Sequence, residues 1–220
     1  MKPLIIAIDG PSGAGKGTIA RALAASLHCR HVDSGAMYRA VAWRALGGGV
    51  SLDDEAAVAQ LAEGRIELEA GRVLIEGHDV THAIRTPEID RAAAAVARLP
   101  AVRAVLVEQQ RALGEHGGIV MEGRDIGTVV FPHADVKIYL DAAPGERARR
   151  RAADPAHTSS RGLAVAEVAT ALEARDLSDQ TRAASPLMAA PDAIHIDTTG
   201  KPIAAVLEEV RGVVERTLKN

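Results

Sequence analysis

Residues 7–18 read AIDGPSGAGKGT and follow directly on the apolar run Leu4, Ile5, Ile6. Glycines cost backbone entropy on folding, so Gly10, Gly13, Gly15 and Gly17 clustered around one lysine need a reason. Phosphate binding supplies it. The glycines let the chain curl until successive N–H groups converge on an anion, Lys16 adds a positive charge, and a helix opening near Gly15 adds its positive end. The spacing Gly10-x-x-x-x-Gly15-Lys16 is that of a P-loop, except that Gly17 stands where Ser or Thr is usual and Thr18 follows one step later. The competing reading is a flexible turn between strand and helix. The context favours the loop: an apolar strand precedes it, and Ile19, Leu23 and Leu27 at spacing four predict a helix after it.

Working outward, further strands are expected at His31–Asp33, Ile119–Glu122, Val136–Leu140 and Ala193–Asp197, with helical patterns between them. That alternation predicts an α/β protein built on a parallel sheet. Polar clusters follow three of the strands: the loop itself, Asp33-Ser34-Gly35 and Gly123-Arg124-Asp125. Ligands of open α/β sheets bind at that edge. Between Ser51 and Leu113 the simple alternation breaks. Ser51-x-x-Asp54 resembles a capping box opening a helix that Gly64 ends, and Ile66–Glu69 with Val73–Glu76 read as a hairpin. Pro87 and Pro100 stand at expected first helical positions. We read residues 53–98 as an inserted subdomain and residues 147–162 as a short lid, within one domain spanning 1–220. Pro144 opens a helix carrying Arg147, Arg149, Arg150 and Arg151. A longer helix follows, with Val165, Val168 and Leu172 as its buried stripe and Arg175, Asp179 and Arg182 on one face. The final helix opens near Pro202 and is expected to pack through Ile203, Val206, Val210, Val213 and Leu218.

Composition narrows the function. The chain has 220 residues, a net charge of −3, 2% aromatic residues and one cysteine, Cys29. A disulfide within the chain and a Cys-based zinc site are excluded. A general nucleic-acid binder would be basic and richer in aromatics. No signal pattern precedes the first strand, and a cytoplasmic protein without membrane contact is expected. The histidines show no metal-ligand spacing, and there is no Gly-x-Ser-x-Gly elbow of a hydrolase. Arginine, suited to planar bidentate contact with phosphate, falls in short motifs. Each motif also has a plainer reading: Asp33–Arg39 as a helix cap with Ser34 at the N-cap, Gly123–Thr128 as a turn, Arg175, Asp179 and Arg182 as a solvated ion-pair face.

In order along the chain, Ile8–Thr18 IDGPSGAGKGT, Asp33–Arg39 DSGAMYR, Glu122–Pro132 EGRDIGTVVFP and Arg175–Leu187 RDLSDQTRAASPL resemble the bacterial cytidylate kinases, a branch of the P-loop nucleoside-monophosphate kinases. The resemblance covers nearly the whole chain, and the Gly-Lys-Gly-Thr ending of the loop accounts for Gly17. It implies a P-loop NTPase three-layer fold, with a five-stranded parallel sheet in the order 2-3-1-4-5, an inserted nucleotide-binding subdomain and a short lid. It implies transfer of the ATP γ-phosphoryl to CMP or dCMP by a monomer, with Mg²⁺ accompanying ATP. Residue by residue, Gly10, Pro11, Ser12, Gly13, Ala14, Gly15, Lys16, Gly17 and Thr18 would bind ATP. Ser34, Tyr38, Arg39, Arg103, Arg124, Asp125, Arg175, Asp179 and Arg182 would bind CMP. Lys16, Arg124, Arg182 and Arg150 would be catalytic, with Arg147 or Arg151 also candidates to cover the transferring group. Thr18 would hold the metal, with Asp33 reaching it through water. One match fails: relatives place a serine near the cytosine where this chain has Ala94. The alternatives are another small P-loop kinase, acting on UMP, AMP or a small metabolite, and a P-loop switch or motor ATPase.

Overall fold

The computed structural model describes residues 4–69, 71–154 and 164–219. Strand β1 (Ile5–Asp9) runs into the glycine-rich loop, and helix α1 (Lys16–Ser26) leaves it. β2 (Arg30–Asp33) and α2 (Ser34–Gly47) repeat the unit. The parallel sheet is completed by β6 (Ile119–Glu122), β7 (Val136–Asp141) and β8 (Ile194–Asp197), in the order β2-β6-β1-β7-β8. With the strands between β2 and β6 set aside, this is the expected 2-3-1-4-5.

Alternation along β1 builds the layers. Ile6 and Ile8 face α1 and α8 (Ile203–Lys219), in a core with Ile19, Leu23, Val206 and Val210. Ala7 faces the opposite layer, with Val32, Met37, Val41, Leu106 and Met121. Strands covered on both faces read as near-continuous apolar runs, which is why all four residues of β6 are buried. That second layer is α2 and α5 (Pro100–Leu113).

Between α2 and α5 lie α3 (Glu55–Ala62), a three-stranded antiparallel sheet of β3 (Ile66–Glu69), β4 (Arg72–Ile75) and β5 (His78–Asp79), and α4 (Pro87–Val96). The short β5 was not anticipated, and β4 begins one residue earlier than expected. Two caps also differ. Asp54, not Ser51, accepts the Ala57 N–H and opens α3, because its carboxylate is one turn nearer the first apolar residues. Asp33, not Ser34, caps α2 by accepting from Ala36. Pro87 and Pro100 do begin their helices, where the missing N–H is no loss.

Helices α6 (Pro144–Ala153) and α7 (Val165–Thr181) pack through Ala148, Val168 and Leu172. Val165 is exposed at the start of α7, and Ile203 and Leu218 at the ends of α8, since terminal turns overhang the layer beneath. Of the expected lid, residues 155–162 lie outside the described residues. Among the described residues, no helix is long and apolar enough to cross a membrane.

Candidate active site

The C-terminal ends of β1, β2 and β6 open into a single cleft of about 690 Å³, a size suited to small ligands. Ser12, Gly13, Ala14, Gly15, Lys16, Gly17 and Thr18 line one end, while Gly10 and Pro11 lie buried beneath and shape the curve. Gly10 has φ of +144°, and a Cβ there would stand 1.9 Å from the carbonyl oxygen of Leu140 on β7. Only glycine fits. At Gly17 the constraint is looser: a Cβ would meet only the end of the Glu122 side chain, with Oε1 at 3.1 Å.

Neighbouring elements hold the loop from outside. Asp176 on α7 accepts the Ser12 N–H at 3.3 Å, and Arg147 on α6 donates to the Ser12 carbonyl at 3.1 Å while also pairing with Asp176. Thr198 Oγ1 lies 3.1 Å from the Ala14 carbonyl. Arg147 is therefore a buried brace and does not line the cleft, contrary to the expectation that it covers the reaction. Arg150 remains at the loop, with Nη1 3.7 Å from the position a Cβ on Gly15 would take. It is tied back to Glu146 at 2.8 Å and to Thr198. Of the arginines in that run only Arg149 is a solvated charge, 69% exposed beside Glu146.

Lys16 points into the loop and donates to the Pro11 carbonyl at 2.7 Å. Burial, and then the nearby Arg124 guanidinium, bring its pKa down to about 7. Asp9, just before the loop, is buried and accepts the N–H groups of Ile126 and Gly127 at 2.8 and 2.7 Å. Burial raises it to about 6 despite those bonds. It anchors the Gly123–Gly127 segment to the end of β1, so Arg124 and Asp125 are positioned from the strand that leads into the glycine-rich loop.

At the other end of the cleft, charges alternate. Arg103 pairs with Asp125, and Arg182 Nη2 is 3.3 Å from the same carboxylate. Arg124 Nε donates to Asp179 at 2.9 Å, and Arg182 Nη1 stands 3.7 Å from Asp179. Although burial works against it, the guanidiniums of Arg124, Arg175 and Arg182 keep Asp179 below the usual carboxylate range. Arg182 does not continue the α7 face: its extended backbone ends the helix, and Nε turns back to the Ser185 carbonyl at 2.7 Å. The group is buried, so the solvated ion-pair reading falls. Tyr38 lies under Arg103, with the guanidinium 5.3 Å from the ring centroid. Arg39 donates to Asp33 at 2.7 Å, and Ser34 Oγ donates to the Glu122 carbonyl at 2.7 Å. The Asp33 carboxylate is thus already engaged by Arg39 and by its cap. The Nε atoms of Arg39, Arg103 and Arg175 are buried without a hydrogen-bond partner among the described residues. Buried donors left open beside a cleft are suited to a polar ligand.

Several residues here escaped the sequence reading. Asp9, Asp176 and Glu122 had no assigned role, and the pairing of Glu122 with His31 at 3.0 Å spans two strands. No local spacing marks such partners.

Comparison with known proteins agrees with this geometry. The family model described as cytidylate kinase matches residues 6–216. A cytidylate kinase of Solibacter usitatus is 47% identical, the match covering 100% of this chain and 95% of that one. One from Desulfitobacterium hafniense is 49% identical over 95% of this chain and 91% of its own length. Among solved structures, a shikimate kinase from Bacteroides thetaiotaomicron shares the fold, with a TM-score of 0.53 at 12% identity over 96% of this chain and 98% of its own. With a phosphate loop and an arginine–carboxylate cluster facing each other across one cleft, and near-full-length matches to these relatives, the chain belongs to the cytidylate kinase family.

Proposed function

We propose that this cleft transfers the γ-phosphoryl of ATP to CMP or dCMP, giving ADP and the nucleoside diphosphate, with the residues in the following roles. The loop from Ser12 to Thr18 and the Lys16 ammonium hold the donor phosphates. Arg39, Arg124 and Arg182 hold the acceptor phosphate, and Arg150 lies over the loop where the transferring group would pass. Arg103 and Asp125 read the cytosine edge, the carboxylate accepting from the 4-amino group and the guanidinium donating to N3 and O2. Arg175 and Asp179 take the sugar. In this reading the acting unit is a monomer, an expectation that sedimentation of the protein checks.

A non-bridging oxygen of the acceptor phosphate attacks the γ-phosphorus, and the bond to the β,γ-bridging oxygen breaks with its electron pair leaving on ADP. A phosphate monoester has a second pKa of about 6, so the acceptor is already largely dianionic at pH 7 and needs no general base. Catalysis is therefore positioning and charge neutralisation.

The donor set fits Mg²⁺. Thr18 is exposed at the start of α1, and the carboxylates nearby are hard oxygen donors. No cluster of three or more His, Cys, Asp or Glu side chains suited to a metal occurs among the described residues. Magnesium bound chiefly through substrate phosphates requires none. When bound, the ion would neutralise developing phosphate charge. Thr18 would hold it directly, with Glu122, pressed against Gly17, the carboxylate nearest that residue; Asp33, both of whose oxygens are held by Arg39 and the α2 cap, would reach the ion only through water.

The observation carrying this reading is the pair of opposed sites: a lysine-bearing phosphate loop and a buried arginine–carboxylate cluster in one cavity. An acceptor screen with ATP over CMP, dCMP, UMP, AMP and GMP tests it. CMP should lead UMP clearly, and Asp125→Asn should narrow the gap, because an amide can donate as well as accept. Mismatched buried partners discriminate by as much as ~10⁴. Equal kcat/KM for CMP and UMP in the unaltered protein would overturn the assignment.

A further inference from the structure

Side chains alternate along β6: Ile119 and Met121 join the α2 layer, and Val120 joins the α1 layer. Glu122, two residues beyond Val120, therefore faces α1, an apolar layer in which a carboxylate needs a partner. β2 supplies one. His31 pairs in register with Val120 and shares its face, and His31 Nε2 lies 3.0 Å from Glu122 Oε1. An ionised carboxylate only accepts, so Nε2 donates. The same carboxylate abuts the first turn of α1, its oxygens 3.1 and 3.5 Å from where a Cβ on Gly17 would stand. Both side chains are largely buried, 17% exposed for His31 and 10% for Glu122. Glu122 lines the cleft, whereas His31 does not. A negative charge is thus fixed beside the phosphate loop, near enough to Lys16 and Arg124 to favour their charged forms. Such a charge acts oppositely on two forms of the donor. It repels the bare polyphosphate of free ATP, and it attracts a divalent cation carried by that polyphosphate, directly or through the cation's water shell.

We propose that His31 is a positioning residue: it fixes the Glu122 carboxylate against the first turn of α1, and the fixed carboxylate makes the loop select the magnesium complex of ATP over free ATP. The inference rests on the kinase reading above. His31 touches neither nucleotide nor metal and acts only through the hydrogen bond to Glu122. Without that bond the carboxylate is free to turn away from the loop, and the two forms of the donor are told apart less well.

The test is calorimetric affinity for ATP, measured once with Mg²⁺ and once with EDTA, and it reads the ratio of the two. The unaltered protein should favour the magnesium complex. The ratio should fall about fivefold in His31→Leu, the scale of one hydrogen bond. His31→Gln, whose amide can donate from nearly the same place, should keep the ratio. Glu122→Gln should lose it as His31→Leu does, and combining the two changes should lower it no further. An unchanged ratio in His31→Leu would overturn the proposal. So would equal losses in both buffers, which a purely structural brace between β2 and β6 predicts, or a His31→Gln ratio as low as that of His31→Leu. Equal affinities in the unaltered protein would overturn it as well. If His31→Leu does not fold, His31→Asn decides: its amide is too short to reach Glu122, so the ratio must fall. Failure of the unaltered protein to bind ATP in either buffer would instead count against the kinase reading, a separate result.

Discussion

At the scale of single residues, Lys16 has the most consequential environment. A lysine in water is charged at pH 8, but burial and Arg124 leave this one with a pKa of about 7, mostly neutral at that pH in the free protein. Donor phosphates would restore the charge, so ATP binding above pH 7 should take up protons. Calorimetry at pH 8 in buffers of different ionisation enthalpy should show uptake approaching one proton, lost in Lys16→Ala. Binding heats independent of buffer would mean the lysine is charged before ATP arrives. The same variant should lower kcat by about 10²–10³, the usual cost of one preorganised charge at a developing anion. The sign for stability follows too. Between pH 7 and the ordinary lysine value of 10.5 the unfolded chain binds more protons at this site, so the stability cost of burying this lysine, complete below pH 7, is relieved as pH rises through that window.

At the scale of elements, the turn from β1 into α1 depends on contacts with strands that neither residue composition nor spacing identifies. Gly10 packs against the Leu140 carbonyl, so Gly10→Ala would drive Cβ into backbone at 1.9 Å, with a positive φ besides. The β1–β7 pairing beside it, Asp9 with Tyr139, must give way. A cost above about 3 kcal/mol is expected, beyond ordinary overpacking because backbone cannot rotate aside. Thermal unfolding should show a large drop in Tm or no folded protein. Gly17→Ala is the control: its Cβ meets only the end of the Glu122 side chain, at 3.1 Å, and Gly17 is not in the left-handed region. That variant should fold with Tm nearly unchanged. Comparable Tm losses in the two would contradict this account of the loop.

At the scale of the whole molecule, α6 and α7 are joined to the sheet through a charge pair buried under the phosphate loop. Arg147 and Asp176 are each 7% exposed, and both also bond the backbone of Ser12. Removing one partner strands the other, which costs about 3–5 kcal/mol in buried pairs. For a domain of this size each kcal/mol moves Tm by about 2–4 °C. Asp176→Ala should therefore lower Tm by roughly 6–20 °C in a calorimetric scan. A shift as small as that of a surface substitution would show that the pair is hydrated and carries no load between the layers. Because the same α7 bears Arg175 and Asp179, the pair also sets how those two residues face the glycine-rich loop.

What the sequence by itself determined is local or periodic. The phosphate loop was legible because a tight turn with converging N–H groups needs glycine at fixed intervals, whatever the rest of the chain does. The parallel sheet was legible because short strands alternate with helical patterns along the chain, with β1 and β6 almost wholly apolar, and Pro87, Pro100 and Pro144 marked helix starts for steric reasons internal to the backbone. The order of four motifs was enough to indicate the family. Tertiary structure alone decided which charges meet. Arg147 and Arg149 look equivalent in a run of arginines, yet one is buried against Asp176 and the other is solvated beside Glu146. Asp9 meets the N–H groups of Ile126 and Gly127, and Glu122 meets His31, only because β2, β6 and β1 lie side by side in the sheet. Arg182 left its helix face because the chain turns at that residue to close on Ser185. An ion pair depends on distance and burial, both products of packing between elements far apart in the chain, and residue spacing carries no record of either.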